Sequence, residues 1–238
     1  MSIKLSIVFL VTIFIGSLTI LHADGAITGN IKFEGKAPTM KKIKMGADPI
    51  CSAKHDKAVT TEWLLTGEKG ELKNVFVYIK EGVTGNFPTP SEPIVIDQNG
   101  CIYQPRVSGV QVGQSIDILN SDGTLHNIHA KPKINREFNK AQPKFKKKLT
   151  VSFNKVEIMI PLKCDVHPWM GAWIGVLDHP FFAVTGENGS FTISGLEAGT
   201  YTVEAWHERL GKQTATVTIK ADESASTDFI FTPPKRKK

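Results

Sequence analysis

Cys164-Asp165-Val166-His167-Pro168-Trp169-Met170 sets a thiol, an imidazole and a thioether in one short stretch, spaced C-x2-H-x2-M. Apolar runs at 156–162 and 173–177 bracket it, so it reads as a tight connection between two strands. Upstream, an apolar strand at 115–119 runs into Asn120-Ser121-Asp122-Gly123-Thr124-Leu125-His126-Asn127-Ile128-His129. Taken singly these residues are ordinary. A lone cysteine in a β-sandwich usually packs as a small hydrophobe, and a methionine beside a tryptophan is usually packing too.

Together they make a donor set with a definite chemistry. Cu(I) favours soft sulfur and Cu(II) favours imidazole nitrogen, so two histidines, a cysteine and a weak methionine serve both states of one copper ion. Zinc accepts Cys and His but has little use for Met. A binuclear copper centre would need a second cysteine in this loop, and none is there.

Around the loop, strand signals dominate and long helical periodicity is absent. Short runs at 29–33, 75–79, 94–97, 115–119, 156–162, 173–177, 201–206 and 214–219 are bounded by Gly, Pro, Asn or Asp. Period-2 alternation is clear where Ala215, Val217 and Ile219 oppose Thr214, Thr216 and Thr218. The class expected is all-β, in sandwiches or barrels, with 39–67 and the Lys-rich 131–148 as the least regular parts.

Residues 94–177 resemble the cupredoxin family, and its amicyanin-like members (beside the plastocyanins) most closely. The resemblance rests on Tyr103-Gln104-Pro105, on Gly113-Gln114-Ser115-Ile116-Asp117-Ile118-Leu119-Asn120, on His126 to His129, and on the short loop from Cys164 to Met170. It implies a Greek-key sandwich with His126, Cys164, His167 and Met170 as ligands of one type 1 (blue) copper. It also implies that Asn127 ties the ligand loops together by hydrogen bonds, with Pro168 and Trp169 flanking the site. His129 would be structural.

The last third, with Asn188-Gly189 and Gly195 turns feeding the runs around Phe191 and Tyr201, is similar to the carboxypeptidase-regulatory-like, transthyretin-like sandwich. The early pieces of that family's pattern occur far upstream, at 25–33 and 72–79. The expected organisation is therefore a sandwich begun at 24–82 and completed at 179–233, with a cupredoxin domain at 90–178 inserted. Pro-rich 82–93 and 178–180 would be the linkers. A plain tandem is the alternative.

The chain opens with Lys4, an apolar stretch at 5–21 and a small residue at Ala23, the layout of a secretory signal peptide spanning 1–23. An uncleaved membrane anchor is the other reading, and the only one that would involve a membrane. Either places the rest outside the cytoplasm, periplasmic or secreted. The chain has 238 residues and a net charge of +6, which favours acidic protein partners. No aromatic-interleaved basic stripe or recognition helix points to nucleic acid. Of the three cysteines, Cys51 and Cys101 are read as a disulfide, leaving Cys164 for metal; two independent thiols are the alternative.

Four further features are weaker. His55 has C-x3-H spacing from Cys51 but no other ligands nearby and reads as incidental. His179 and His207 are assigned to the outer sandwich. Lys144, Lys146, Lys147 and Lys148 form a solvated loop or a docking patch, and 234–238 a basic tail.

The function expected is an exported electron carrier, with the His167 ring edge offered to a partner through the surface around Pro168 and Trp169. The partner would be a redox protein such as a cytochrome, and no small-molecule substrate is indicated. The site is coordinatively full and no trinuclear His-x-His clusters occur, so no enzyme is expected. The alternative is an exported copper-binding, copper-sensing or structural module whose sandwich serves attachment.

Overall fold

Alternation of apolar and polar residues builds the strands. In β1 (Gly25–Phe33), Ile27, Ile31 and Phe33 point inward while Asn30 and Lys32 face solvent. A computed structural model describes residues 25–221 and 223–233; the expected leader at 1–23 and the tail at 234–238 lie outside them. The regular structure of the described chain is almost all strand. In order it runs β1, then the short helix α1 (Pro49–Ser52), β2 (Phe76–Glu81), β3 (Ile94–Gln98), β4 (Tyr103–Gln104), β5 (Val107–Gln111) and β6 (Ile116–Asn120). Next come β7 (His126–Ala130), β8 (Phe138–Gln142), β9 (Lys148–Val151), β10 (Glu157–Lys163), β11 (Gly171–Leu177) and β12 (Phe182–Val184). The chain closes with β13 (Ser190–Leu196), β14 (Gly199–His207), β15 (Gly211–Ile219), β16 (Ala225–Ser226) and β17 (Phe229–Phe231).

These strands form two sandwiches. In the first, β1 pairs antiparallel with β13 and parallel with β16 and β17, against a sheet ordered β12-β2-β14-β15. Its core includes Ile27, Ile31, Leu72, Ile79, Val203 and Phe231. In the second, a sheet ordered β5-β11-β10-β7-β8 faces one ordered β4-β3-β6-β9. Here β3 lies parallel to β6 and β5 parallel to β11. Ile96, Ile118, Ile128, Ile160, Ile174 and Val176 fill it.

The sandwiches meet through Phe76, Tyr78, Val107, Met159 and Leu177, with Trp173, Phe182 and Trp206 beside them. Two register-paired glycines make room for that contact. A Cβ at Gly175 would sit 2.6 Å from the Phe76 ring, and one at Gly109 would sit 2.4 Å from Phe182. Phe76 and Phe182 stack on this flat spot, 5.6 Å between centroids. Arg106 of the second sandwich forms a two-pronged bond to Glu208 of the first, at 2.6 and 2.9 Å.

The segment before β2 does something its sequence did not announce. Met45 and Cys51 belong to the core of the second sandwich, not the first, so this irregular stretch crosses over and lies on it. Three ties hold it there. Cys51 and Cys101 form the expected disulfide, Lys54 meets Asp122 at 2.8 Å, and His55 bonds the Gly100 carbonyl at 2.7 Å. His55 is thus a structural anchor of this cap.

Candidate metal centre

Strand β7 and the β10–β11 connection bring three ligand-type atoms together. The donor atoms of His126, Cys164 and His167 all lie within 4.8 Å of one another, and all three residues are buried. His126 Nδ1 and His167 Nδ1 are 3.0 Å apart, and Cys164 Sγ is 3.8 Å from His167 Nδ1. Met170 is buried in the same core, and its N–H donates to the His167 carbonyl at 2.9 Å, closing the loop as a turn.

The outer nitrogens decide the proton arrangement. His126 Nε2 meets Asp122 at 2.9 Å, and His167 Nε2 meets Asp48 at 2.9 Å. An ionised carboxylate only accepts, so each Nε2 carries the hydrogen and a neutral ring leaves its Nδ1 as a bare lone pair. Two lone pairs and a sulfur then face one another in a dry pocket. That arrangement is repulsive unless a cation or a proton sits among them. Carboxylate–histidine–metal relays orient ligand imidazoles in this way.

Charge balance follows the same logic. Burial would lower the His126 pKa, but Asp122 and the Cys164 sulfur outweigh it and raise it to about 9. Burial would raise the Cys164 thiol, yet hydrogen bonds from His126 and neighbouring amides bring it below its ordinary value. Asp122 is fully buried. Its burial penalty is overcome by His126, Lys54 and the amides of Cys101 and Gly100, which hold it well below the usual carboxylate range.

Asn127 holds the loop in place. Its side-chain oxygen accepts from the Asp165 amide at 2.7 Å, the Val166 amide at 3.3 Å and the Cys164 thiol at 3.3 Å. Its carbonyl accepts from the Tyr103 hydroxyl at 2.5 Å. Trp169 lies against His167, 5.0 Å between rings, and its indole N–H donates to the Cys101 carbonyl. Pro168 is exposed and packs no lid over the centre.

One expectation is overturned. The His167 ring edge is not offered to solvent: the residue is 2% exposed. Asp48 caps α1 by accepting from the Ile50 and Cys51 amides, and the same carboxylate grips His167 Nε2. The Cys51 sulfur lies 3.5 Å from that nitrogen. Water is therefore excluded by the cap and its disulfide, while Val166 on the loop itself is half exposed.

The other histidines among the described residues stand apart from these ligand atoms. His129 is pinned between Glu137 at 2.7 Å and Asp165 at 3.0 Å. His179 Nε2 bonds the Ile79 carbonyl, and His207 Nδ1 accepts from the Arg209 and Leu210 amides. Asp48 and Asp122 escaped the sequence reading. Asp122 had a faint signal, four residues before His126; Asp48 had only an Asp-Pro helix start.

Among known protein families, Polysaccharide lyase family 4, domain II, matches residues 154–227. It begins inside the second sandwich and runs into the first, and it is not the carboxypeptidase-regulatory-like family expected for the C-terminal part. No curated protein matches the chain. Among solved structures, an oxidised proline-to-alanine mutant of amicyanin is 21% identical, with 35% of this chain and 81% of that one covered, at a TM-score of 0.32. A Cu(I) methionine-to-alanine mutant of amicyanin is 18% identical, covering 42% and 97%, at 0.33. A Cu-containing nitrite reductase from Thermus scotoductus SA-01 is 18% identical, covering 41% and 25%, at 0.32. At such scores the weight rests on the chain's own strands and side chains.

Proposed function

We propose that this chain is an exported mononuclear type 1 copper protein that carries single electrons between redox partners. The observation that supports this most is the pair of facing Nδ1 atoms, 3.0 Å apart beside the Cys164 sulfur, with both outer nitrogens committed to carboxylates. His126, Cys164 and His167, with Met170 as the weak fourth donor, would hold the ion. Copper would supply a one-electron couple that its mixed sulfur and nitrogen ligands serve in both states.

The chain's own residues do the rest. Asp122 and Asp48 fix which nitrogen of each imidazole faces the pocket. Asn127 keeps the Cys164 loop from relaxing, and the disulfide-held cap keeps water out. With its pKa near 9, His126 holds a proton at neutral pH until a cation displaces it, so loading expels a proton. Four donors from His126, Cys164, His167 and Met170 would leave a bound copper no open position for a substrate, and we read the chain as no enzyme.

The disulfide supports an oxidising compartment, periplasmic or extracellular. No helix among the described residues is long and apolar enough to cross a membrane. The pairing of β1 and β2 with β12–β17, around the sheets of β3–β11, supports a cupredoxin domain at 90–178 inserted in a transthyretin-like sandwich. Lys144, Lys146 and Lys147 are exposed on the β8–β9 connection with Phe145 81% exposed among them, beside Lys148 at the start of β9, which pairs with Asp117; this suits docking of an acidic redox protein such as a cytochrome.

A second reading has its own support. Burial of the His167 edge under Asp48 and the disulfide suits a module that retains or senses copper rather than exchanging electrons quickly. Reconstitution with Cu(II) tests the centre: an intense visible thiolate-to-copper band and a narrow hyperfine EPR splitting are expected, and Cys164→Ser should abolish both. Preference for zinc, or copper bound without that band, would sink the proposal. Electron exchange with a cytochrome then separates the two readings, fast for a carrier and slow for a retaining module.

A further inference from the structure

We propose that the cleft between the two sandwiches is a binding site for a small planar aromatic anion of the hydroxybenzoate class. The cleft is a cavity of about 590 Å³, within the range that holds small molecules. Three segments wall it: the cap with Ile43, Thr60 and Thr61, the second sandwich with Trp169 and Trp173, and the first sandwich with Arg209 and the Trp63 that packs on its core. Three indoles around one cavity favour a flat, polarisable ring.

Charge selects the anion. Of the cations lining the cleft, Arg106 is consumed by Glu208. Lys131, Lys163 and Arg209 have no carboxylate partner among the described residues, and besides Glu208 the only acid in the lining is Glu62. Arg209 already lies over the Trp63 ring at 5.5 Å, so a cation and an aromatic wall are presented together. The walls are stiff: Trp173 packs on Trp206 at 5.1 Å, and its N–H reaches Glu208. The sequence alone gave no reason to expect a small ligand, because the cap, which supplies one wall, has no readable pattern.

The cleft also touches the metal centre on its uncapped side. Trp169 has the cavity beside it and His167 at 5.0 Å, so an occupant lies one ring away from the ligand histidine. The binding site itself does not depend on the metal reading, and the test uses protein without metal so that the two can fail separately.

The experiment is calorimetric titration of 4-hydroxybenzoate into the metal-free, disulfide-intact chain. One saturable site of submillimolar affinity is expected, with phenol, its neutral counterpart, at least about tenfold weaker. The double variant Lys131→Ala with Lys163→Ala, both exposed and carrying no fold, should weaken 4-hydroxybenzoate at least about fivefold, as should Arg209→Ala. Lys144→Ala with Lys146→Ala, far along the surface loop, should leave it unchanged. Absence of saturation, equal binding of phenol, or equal loss in the Lys144 and Lys146 control would each overturn the proposal.

Discussion

His126 Nδ1 and His167 Nδ1 face each other at 3.0 Å while Asp122 and Asp48 hold the opposite nitrogens at 2.9 Å. The two rings are thus aimed by carboxylates from distant parts of the chain. Asp48→Ala removes one aim and the α1 cap together. Copper affinity, measured by competition with a chromophoric chelator, is expected to fall about tenfold. Stability should drop by only about 1 kcal/mol, the usual worth of a helix N-cap. Unchanged affinity would show that Asp48 serves the helix alone.

The Cys51–Cys101 disulfide closes a long loop, its ends 50 positions apart in sequence, and places the cap on His167. Loop-closure entropy puts its contribution at about 4 kcal/mol. Replacing both cysteines with alanine should lower the denaturant midpoint accordingly. It should also raise amide hydrogen exchange in 43–61 well before the strands respond, because Met45 and the Ile43–Val59 hydrogen bond lose their anchor. Exchange that rises uniformly would mean the cap is no separate unit.

Much of this was legible in the residues because its causes are local. Alternation in 214–219 and 190–193 marks strands whatever they pair with, and both stretches lie in β15 and β13. The grouping of Cys164, His167 and Met170 is written on one loop. The cap was not legible. Residues 39–67 have no periodicity, and their place is set by contacts at long range: Asp48 to His167 spans 119 positions, and Cys51 to Cys101 spans 50. The exposed His167 edge was an expectation of the carrier reading. It failed because the segment holding Asp48 and Cys51 covers that edge.

Gly175 tests the joint between the sandwiches. Its Cβ would lie 2.6 Å from a Phe76 ring that is fully buried and stacked on Phe182. The ring has nowhere to retreat, so Gly175→Ala should cost about 1–3 kcal/mol by overpacking. Thermal melting should show it. Gly171→Ala is the control, because the nearest atom to its Cβ is 3.9 Å away and ordinary contact results. Equal loss in both variants would point to strand propensity rather than to the interface.

His207 predicts an acid limit that does not involve the metal centre. Burial lowers its pKa to about 4, with Arg106 and Arg209 adding to the effect and Glu208 opposing it. The geometry agrees, since Nδ1 accepts from two backbone amides and has no room for a proton. An unfolded histidine titrates near 6.5, so between about 6.5 and 4 the unfolded chain binds the extra proton. Stability is therefore full above about pH 6.5, falls as pH drops toward 4, and levels below that. The loss from this residue is on the order of 3 kcal/mol. Denaturant titrations of the metal-free protein at pH 7 and pH 4.5 should show the slope, and His207→Gln should flatten it. A slope unchanged in that variant would place the acid sensitivity in other groups.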